Sequence, residues 1–248
     1  MSEGLQRIAG NGWLALLGGG EFSFGETEAA DRAWLAKVDA APPMLAAGAG
    51  EEGEEAAREL RPIGFIPAAS GSEDYGEHFL TYLDEEFDRP LEVIPVYRSR
   101  DARRRRNCER IEEMTAVYLG GGVTDQLLEA LAGSAAEEAL RLRLQEGGVV
   151  VAIAAAAQAL GEWARSLYRG DHVPGLGWLP EGVVEPNFDP GHARRLRRLL
   201  SRPHVSWGLG LPAGSAVLLG PGGAVETVGP AYLLRHPEGE LEIVEPRP

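Results

Sequence analysis

Short apolar runs alternate along the chain with segments whose apolar residues recur every three or four positions. A short apolar run bounded by turn signals is typical of a buried strand, and the longer spacing is typical of an amphipathic helix. Strands are therefore predicted at residues 13–17, 63–66, 91–97 and 116–119, and again from Val149. Helices are predicted at residues 27–38, 75–87 and 107–113, and from a capping box at Ser134 and Glu137 to Gln145.

This alternation predicts an α/β fold, a three-layer α/β/α sandwich around a mostly parallel central sheet. Beyond residue 170 the elements are shorter, with strands predicted at 183–185, 206–209, 216–219, 225–228 and 241–244. Turn residues such as those at 220–223 separate these strands and favour an antiparallel edge that extends the main sheet. The chain, residues 1–248, is interpreted as one domain, in which 42–61 form an insertion and 203–248 form a β-rich edge extension.

The segment from Val149 to Leu160 reads V-V-V-A-I-A-A-A-A-Q-A-L. An apolar strand that runs into a turn of small residues and then into a helix is the pattern of a nucleophile elbow. The residue at such a turn presents its side chain above the edge of the sheet. In this chain that residue is Ala154, which has no reactive group to present.

Composition narrows the function classes. With 44% apolar residues in 248, the chain can bury a large core. The formal net charge of −14 argues against nucleic acid and anionic membranes as partners. No apolar run approaches the roughly 20 residues of a membrane span, and the first residues lack a secretion signal. With one cysteine and no Cys/His spacing typical of a metal site, we expect a cytoplasmic protein without metal or cofactor.

Five segments together resemble the dipeptidase E and cyanophycinase family of serine peptidases. They are L-A-L-L-G-G-G-E at 14–21, I-G-F-I-P-A-A-S at 63–70, Y-L-G-G-G-V-T-D-Q-L-L at 118–128, V-V-V-A-I-A-A-A-A-Q-A at 149–159 and G-L-G-W-L-P-E-G-V-V-E-P-N-F at 175–188. The resemblance implies a flavodoxin-like fold, similar to that of class I glutamine amidotransferases. It also implies hydrolysis of peptides that contain aspartyl groups.

The family's catalytic residues fall on unreactive side chains here. Its elbow resembles G-T-S-A-G-A, which places Ala154 where the nucleophilic serine is expected. Its base lies in a segment like P-H-F, which places Asn187 at the histidine. For the acidic member, one branch of the family suggests Asp171, and another suggests a loop where this chain has Leu-Pro-Ala at 211–213. An amide cannot accept a hydroxyl proton as imidazole does, so the family's mechanism is predicted to be lost.

The glycine turn at 120–122 resembles the part of the family that supplies backbone N–H donors to the oxyanion. It fits equally well a strand-to-helix turn that needs glycine for a positive φ or for close packing. We expect a pocket bounded by Gly121, Gly122, Ala154, Gln158 and Asn187. The preferred hypothesis is a noncatalytic homologue that binds a small molecule or peptide, with a homodimer as the expected assembly.

Two alternatives stay open. In the first, the protein is a hydrolase of another mechanism, and one of four side chains activates water directly: Asp171, Glu185, Asp189 or His192. In the second, the protein is a structural subunit whose pocket is filled by apolar side chains.

Overall fold

A computed structural model of the protein describes residues 5–41, 62–70 and 73–247. The strands are β1 (Trp13–Leu17), β2 (Ile63–Ile66), β3 (Leu91–Val93), β4 (Ala116–Leu119), β5 (Val149–Ile153), β6 (Trp163–Arg165), β7 (His172–Pro174), β8 (Gly182–Pro186), β9 (Trp207–Leu211), β10 (Ala216–Leu219), β11 (Val225–Val228), β12 (Tyr232–Leu234) and β13 (Glu242–Ile243). The helices are α1 (Glu28–Ala40), α2 (Glu73–Phe87), α3 (Arg105–Glu112), α4 (Thr124–Leu131), α5 (Ala135–Gln145), α6 (Ala155–Ala159) and α7 (Arg194–Leu200). The predicted insertion at 42–61 lies outside the described residues.

In the part of the chain that the structure describes, a seven-stranded sheet forms the centre, in the order β11-β10-β1-β5-β4-β2-β3. The five strands from β1 to β3 in this order pair in parallel, and β10 and β11 add an antiparallel edge. Side chains alternate between the two faces of a strand, and β5 is buried on both. Val149, Val151 and Ile153 pack with Trp34 of α1 and Phe79 of α2, on one face. This arrangement confirms the predicted α/β fold with a mostly parallel sheet.

The opposite face of the sheet carries the second helical layer. Val150 and Ala152 of β5 pack there in a cluster with Leu127 of α4 and Leu140 of α5. The capping box predicted before α5 is present, since Ser134 Oγ accepts a hydrogen bond from the Glu137 backbone at 3.2 Å. The Glu137 carboxylate in turn accepts from the Gly133 backbone at 2.8 Å. Two helical layers therefore enclose the sheet.

The strands after residue 170 depart from the prediction. Only β10 and β11 extend the main sheet, whereas β13-β12-β9-β8 form a separate four-stranded sheet and β6-β7 a hairpin. The prediction of one edge extension over 203–248 is therefore wrong for β9, β12 and β13. The strand expected at 91–97 ends at Val93, shortly before Pro95, which has no N–H to donate to a neighbouring strand. None of the helices in the described ranges is long and apolar enough to cross a membrane.

Candidate functional site

Ala154 occupies a sharp turn at the carboxyl end of β5, directly before α6. Its backbone angles are φ 51° and ψ −113°, a combination that residues with a β-carbon rarely adopt. The Ala154 N–H donates to the carbonyl of Leu17 at 2.9 Å, which ties the turn to the end of β1. A strained turn between a central strand and a helix is the geometry of a nucleophile elbow. The elbow predicted from the alanine run is thus formed, with a methyl group at its tip.

Small neighbours surround this methyl group. A β-carbon built on Gly121 would lie 3.6 Å from the Cβ of Ala154, so the glycine turn adjoins the elbow. Ala156 and Ala157, in the first turn of α6, are fully buried. The turn is therefore flanked by small residues, Gly121 beside it and the alanines of α6 after it, as an elbow requires.

The glycine turn has a conformational requirement of its own. Gly122 has φ 143°, and a β-carbon there would lie 2.4 Å from the carbonyl oxygen of Ala69. This explains glycine at 122 without any ligand. The Gly121 N–H, beside Ala154, is directed to the Tyr75 hydroxyl oxygen at 3.4 Å. Burial is the main cause that raises the pKa of Tyr75 to about 12, so its phenol is neutral at physiological pH.

Asn187 follows β8 and lies at the same end of the main sheet as Ala154. Its N–H donates to the carbonyl of Gly18 at 2.7 Å, next to the Leu17 carbonyl that Ala154 uses. The backbone of Asn187 has φ 48°, a left-handed conformation that asparagine tolerates better than most residues. Its side chain covers Gly19, where a β-carbon would lie 2.4 Å from the Asn187 Oδ1. The end of β1 therefore brings together two residues that are far apart in the sequence.

Gln158 belongs to a buried polar network instead of an open pocket. Its side-chain amide accepts from Thr124 Oγ1 at 3.2 Å and donates to Glu185 Oε2 at 3.3 Å. Gln158 is only 2% exposed, so both ends of its amide are satisfied inside the protein. The structure therefore gives no support to the prediction that Gln158 contacts a ligand. We assign its side chain to the packing around the elbow.

Glu185 is a buried carboxylate that the sequence analysis considered only as an alternative base. Burial raises its pKa, and the guanidiniums of Arg165 and Arg195 act against that rise. These guanidiniums lie 3.9 and 4.0 Å from Glu185 Oε1. No spacing signal in the sequence indicates this cluster, because the residues come from β6, β8 and α7.

The remaining acidic and histidine candidates lie on the surface. Asp171 is exposed, and its carboxylate contacts His172 Nδ1 at 3.0 Å and Arg202 at 3.9 Å. Hydrogen bonds from the backbone and then the side chain of His172 lower the pKa of Asp171. Asp189 and His192 pair with each other at 2.6 Å in a short turn, with side chains 61% and 85% exposed. Among the described residues, the polar side-chain contacts of Asp171, Asp189 and His192 include neither Ala154 nor Asn187.

Tyr75 was not predicted as a site residue. Besides meeting the glycine turn, it lines a cavity of about 790 Å³ with Phe22, Tyr82 and several glutamates. Its position on one face of α2 follows ordinary helical spacing, so the sequence alone does not distinguish it from a core residue. Within the described ranges, no group of three or more His, Cys, Asp or Glu side chains could hold a metal ion.

Comparisons with known proteins agree with this geometry. The model of peptidase family S51 matches residues 54–219. The structure of a peptidase from an acI-B1 actinobacterium is similar, with a TM-score of 0.71, 19% identity and 94% of each chain covered. A candidate peptidase E of Listeria monocytogenes EGD-e has a TM-score of 0.58 and 14% identity, covering 88% of this chain and 98% of that one. No curated protein matches the chain. The fold is therefore the α/β fold of peptidase E and class I glutamine amidotransferases.

Proposed function

Because the chain belongs to peptidase family S51, we propose that it is a noncatalytic member of that family. In this proposal the elbow is retained while the nucleophile and the general base are replaced, by Ala154 and Asn187. The protein then binds a small molecule or peptide at the carboxyl edge of the sheet without cleaving it.

One observation carries the proposal: Ala154 holds the strained elbow conformation, with φ 51° and ψ −113°. Covalent acyl transfer needs an oxygen or sulfur nucleophile at this point and a base that accepts its proton. A methyl group can form no acyl intermediate. The Asn187 amide has no nitrogen that accepts a proton near neutral pH, so both roles are empty even though the backbone is shaped for them.

Groups that remain at the site suit binding. Asn187 is exposed and offers both a donor and an acceptor. Within the described ranges the Gly121 N–H has one acceptor, the Tyr75 hydroxyl at a long 3.4 Å, so a ligand carbonyl can compete for it. These groups would hold a peptide bond in place by hydrogen bonding, without any attack on its carbonyl carbon.

A hydrolase of different mechanism is less well supported. A general base must lie within hydrogen-bond reach of the water or substrate that it deprotonates. The Asp189–His192 pair is exposed and closes a local turn, in which Asp189 also accepts from the Gly191 backbone at 2.8 Å. Glu185 is buried and bonded to Gln158. Neither arrangement presents a base beside the elbow.

A turnover assay tests the proposal. We expect no hydrolysis of a set of aspartyl dipeptides by the natural chain, measured as release of free amino acid. The same peptides are expected to bind, measured by calorimetry. The single variant Ala154→Ser is the matched control and is also expected to be inactive, because Asn187 cannot activate the new hydroxyl. Hydrolysis by the natural chain would contradict the proposal.

The double variant Ala154→Ser, Asn187→His extends the test. If the elbow geometry is functional, this variant gains measurable hydrolysis over the single variant. It introduces a hydroxyl and an imidazole at two positions whose backbones bond to the adjacent carbonyls of Leu17 and Gly18. Binding of peptides by the natural chain distinguishes a binding protein from a purely structural subunit, for which no peptide would bind.

A further inference from the structure

A cavity of about 560 Å³ lies between the β6–β7 hairpin, β8 and α7, separate from the elbow. Its charged lining residues are Arg165, Arg195, Arg198, Arg202, Asp171 and Glu185. Four guanidiniums against two carboxylates leave an excess of positive charge in this cavity. The whole chain carries a formal net charge of −14, so this local excess has the opposite sign. Such a cavity concentrates anions that the rest of the surface repels.

The cavity is built from two fixed walls. Arg195 and Arg198 are three positions apart on α7 and therefore share one face of that helix. Arg202 follows the end of α7 at Leu200 and also lines the cavity. On the other wall, Arg165 pairs across the hairpin with His172. The loop after Arg165 is anchored by Asp125. Its carboxylate accepts from the Ser166 hydroxyl and, at 2.8 Å, from the Leu167 backbone.

The guanidiniums are oriented by the carboxylates but are not saturated by them. Glu185 lies 3.9 Å from Arg165 and 4.0 Å from Arg195, and Asp171 lies 3.9 Å from Arg202. These separations are longer than hydrogen bonds. Among the described residues, the buried Nε atoms of Arg165 and Arg202 have no acceptor. Carboxylates at these distances leave guanidinium N–H donors on the cavity walls for an added acceptor.

We propose that this cavity binds a small molecule through a phosphate monoester group. A phosphate monoester is close to a dianion at neutral pH, which matches the excess of two positive charges. Its tetrahedral oxygens can accept from guanidiniums on both walls, and arginine binds phosphate in bidentate fashion. The cavity is larger than a single phosphate ion needs, which leaves room for the rest of the molecule. The proposal does not depend on the chemistry of the elbow.

Calorimetric titration of the full chain at low ionic strength tests this site. The probes are glycerol 3-phosphate and inorganic phosphate, with succinate as a dianion that lacks a tetrahedral group. We expect the phosphate ester to bind and Arg198→Ala to weaken it about tenfold or more, since charge-assisted hydrogen bonds are lost. The matched control is Arg194→Ala. It removes an exposed arginine of the same helix that does not line the cavity, and it should leave the affinity unchanged.

Three results would overturn the proposal. Neither glycerol 3-phosphate nor inorganic phosphate binds, succinate binds as tightly as glycerol 3-phosphate, or Arg194→Ala weakens binding of the ester as much as Arg198→Ala does. The last result would indicate general attraction to a basic helix. Arg198 is exposed, so its removal should not affect folding, and Arg195→Ala serves as a second variant with the same expected loss. Circular dichroism of each variant checks the fold independently of binding.

Discussion

Ala154 stores backbone strain at the residue scale. Holding a residue with a β-carbon in a sparsely populated region of φ and ψ destabilises the folded state by on the order of 1–3 kcal/mol. The surroundings maintain this conformation through the bond from Ala154 to Leu17 and through the close packing of α6. Alanine has no reactive group that needs the strained turn, so under the proposed function this strain is a feature of an elbow whose nucleophile has been replaced.

This account predicts that Ala154→Gly stabilises the protein. Glycine adopts positive φ without a steric penalty, so the free energy of unfolding should rise by about 1 kcal/mol, measured by urea denaturation. The matched control is Ala156→Gly in α6, where glycine should lower the free energy of unfolding by about 1 kcal/mol because the site is helical and buried. Equal losses in both variants would contradict the strain at Ala154.

At the element scale, apolar patterning locates most strands of the main sheet well. The predictions for β1, β2, β4, β10 and β11 have the observed bounds. The helix α7 is missed, although Leu196, Leu199 and Leu200 recur at helical spacing and are buried. The periodicity also does not reveal β6, β7 or β12, because each of these strands is only three residues long. Their formation depends on long-range pairing, such as β12 with β9, which no local pattern specifies. The separate sheet was missed for the same reason.

The cap of α5 gives a test at this scale. Ser134→Ala removes the hydroxyl that accepts from the Glu137 backbone, so the free energy of unfolding should fall by about 1 kcal/mol. Ser201→Ala, which removes an exposed hydroxyl just after α7, should change stability by much less. A loss in Ser134→Ala no larger than in this control would show that the capping bond does not stabilise the helix.

At the scale of the whole molecule, the site is assembled by the sheet. The family resemblance predicts Ala154 and Asn187 as site positions, and in the structure their backbone N–H groups donate to the adjacent carbonyls of Leu17 and Gly18 at the end of β1. The supporting contacts could not be predicted in this way. The network of Gln158, Thr124 and Glu185 joins three elements, and its hydrogen bonds depend on how α6 packs against β8.

Buried carboxylates also set the response of the whole fold to pH. Asp31 is fully buried and accepts from Trp34 Nε1 at 2.8 Å and Tyr82 Oη at 2.9 Å. Burial nevertheless raises its pKa, so the native state favours the protonated acid. Its contribution to stability is therefore full below the ordinary aspartate pKa of about 3.9 and is lost as pH rises through the raised value. Burial also raises the pKa of Glu185, so its contribution to stability is likewise lost as pH rises.

The variant Asp31→Asn tests this sign. The free energy of unfolding, measured by urea denaturation from about pH 4 upward, should decline less steeply with pH in Asp31→Asn than in the natural chain. The control Asp84→Asn changes an exposed carboxylate of α2 and should keep the slope of the natural chain. A steeper decline in Asp31→Asn would contradict the assignment.

Covalent labelling tests the central claim, an elbow without a nucleophile, most directly. The natural chain is incubated with a serine-directed fluorophosphonate and its intact mass is measured, with a working serine hydrolase treated in parallel. Because Ala154 offers only a methyl group at the strained turn, the predicted result is an unchanged mass. A stoichiometric phosphonate adduct on the natural chain would contradict the account.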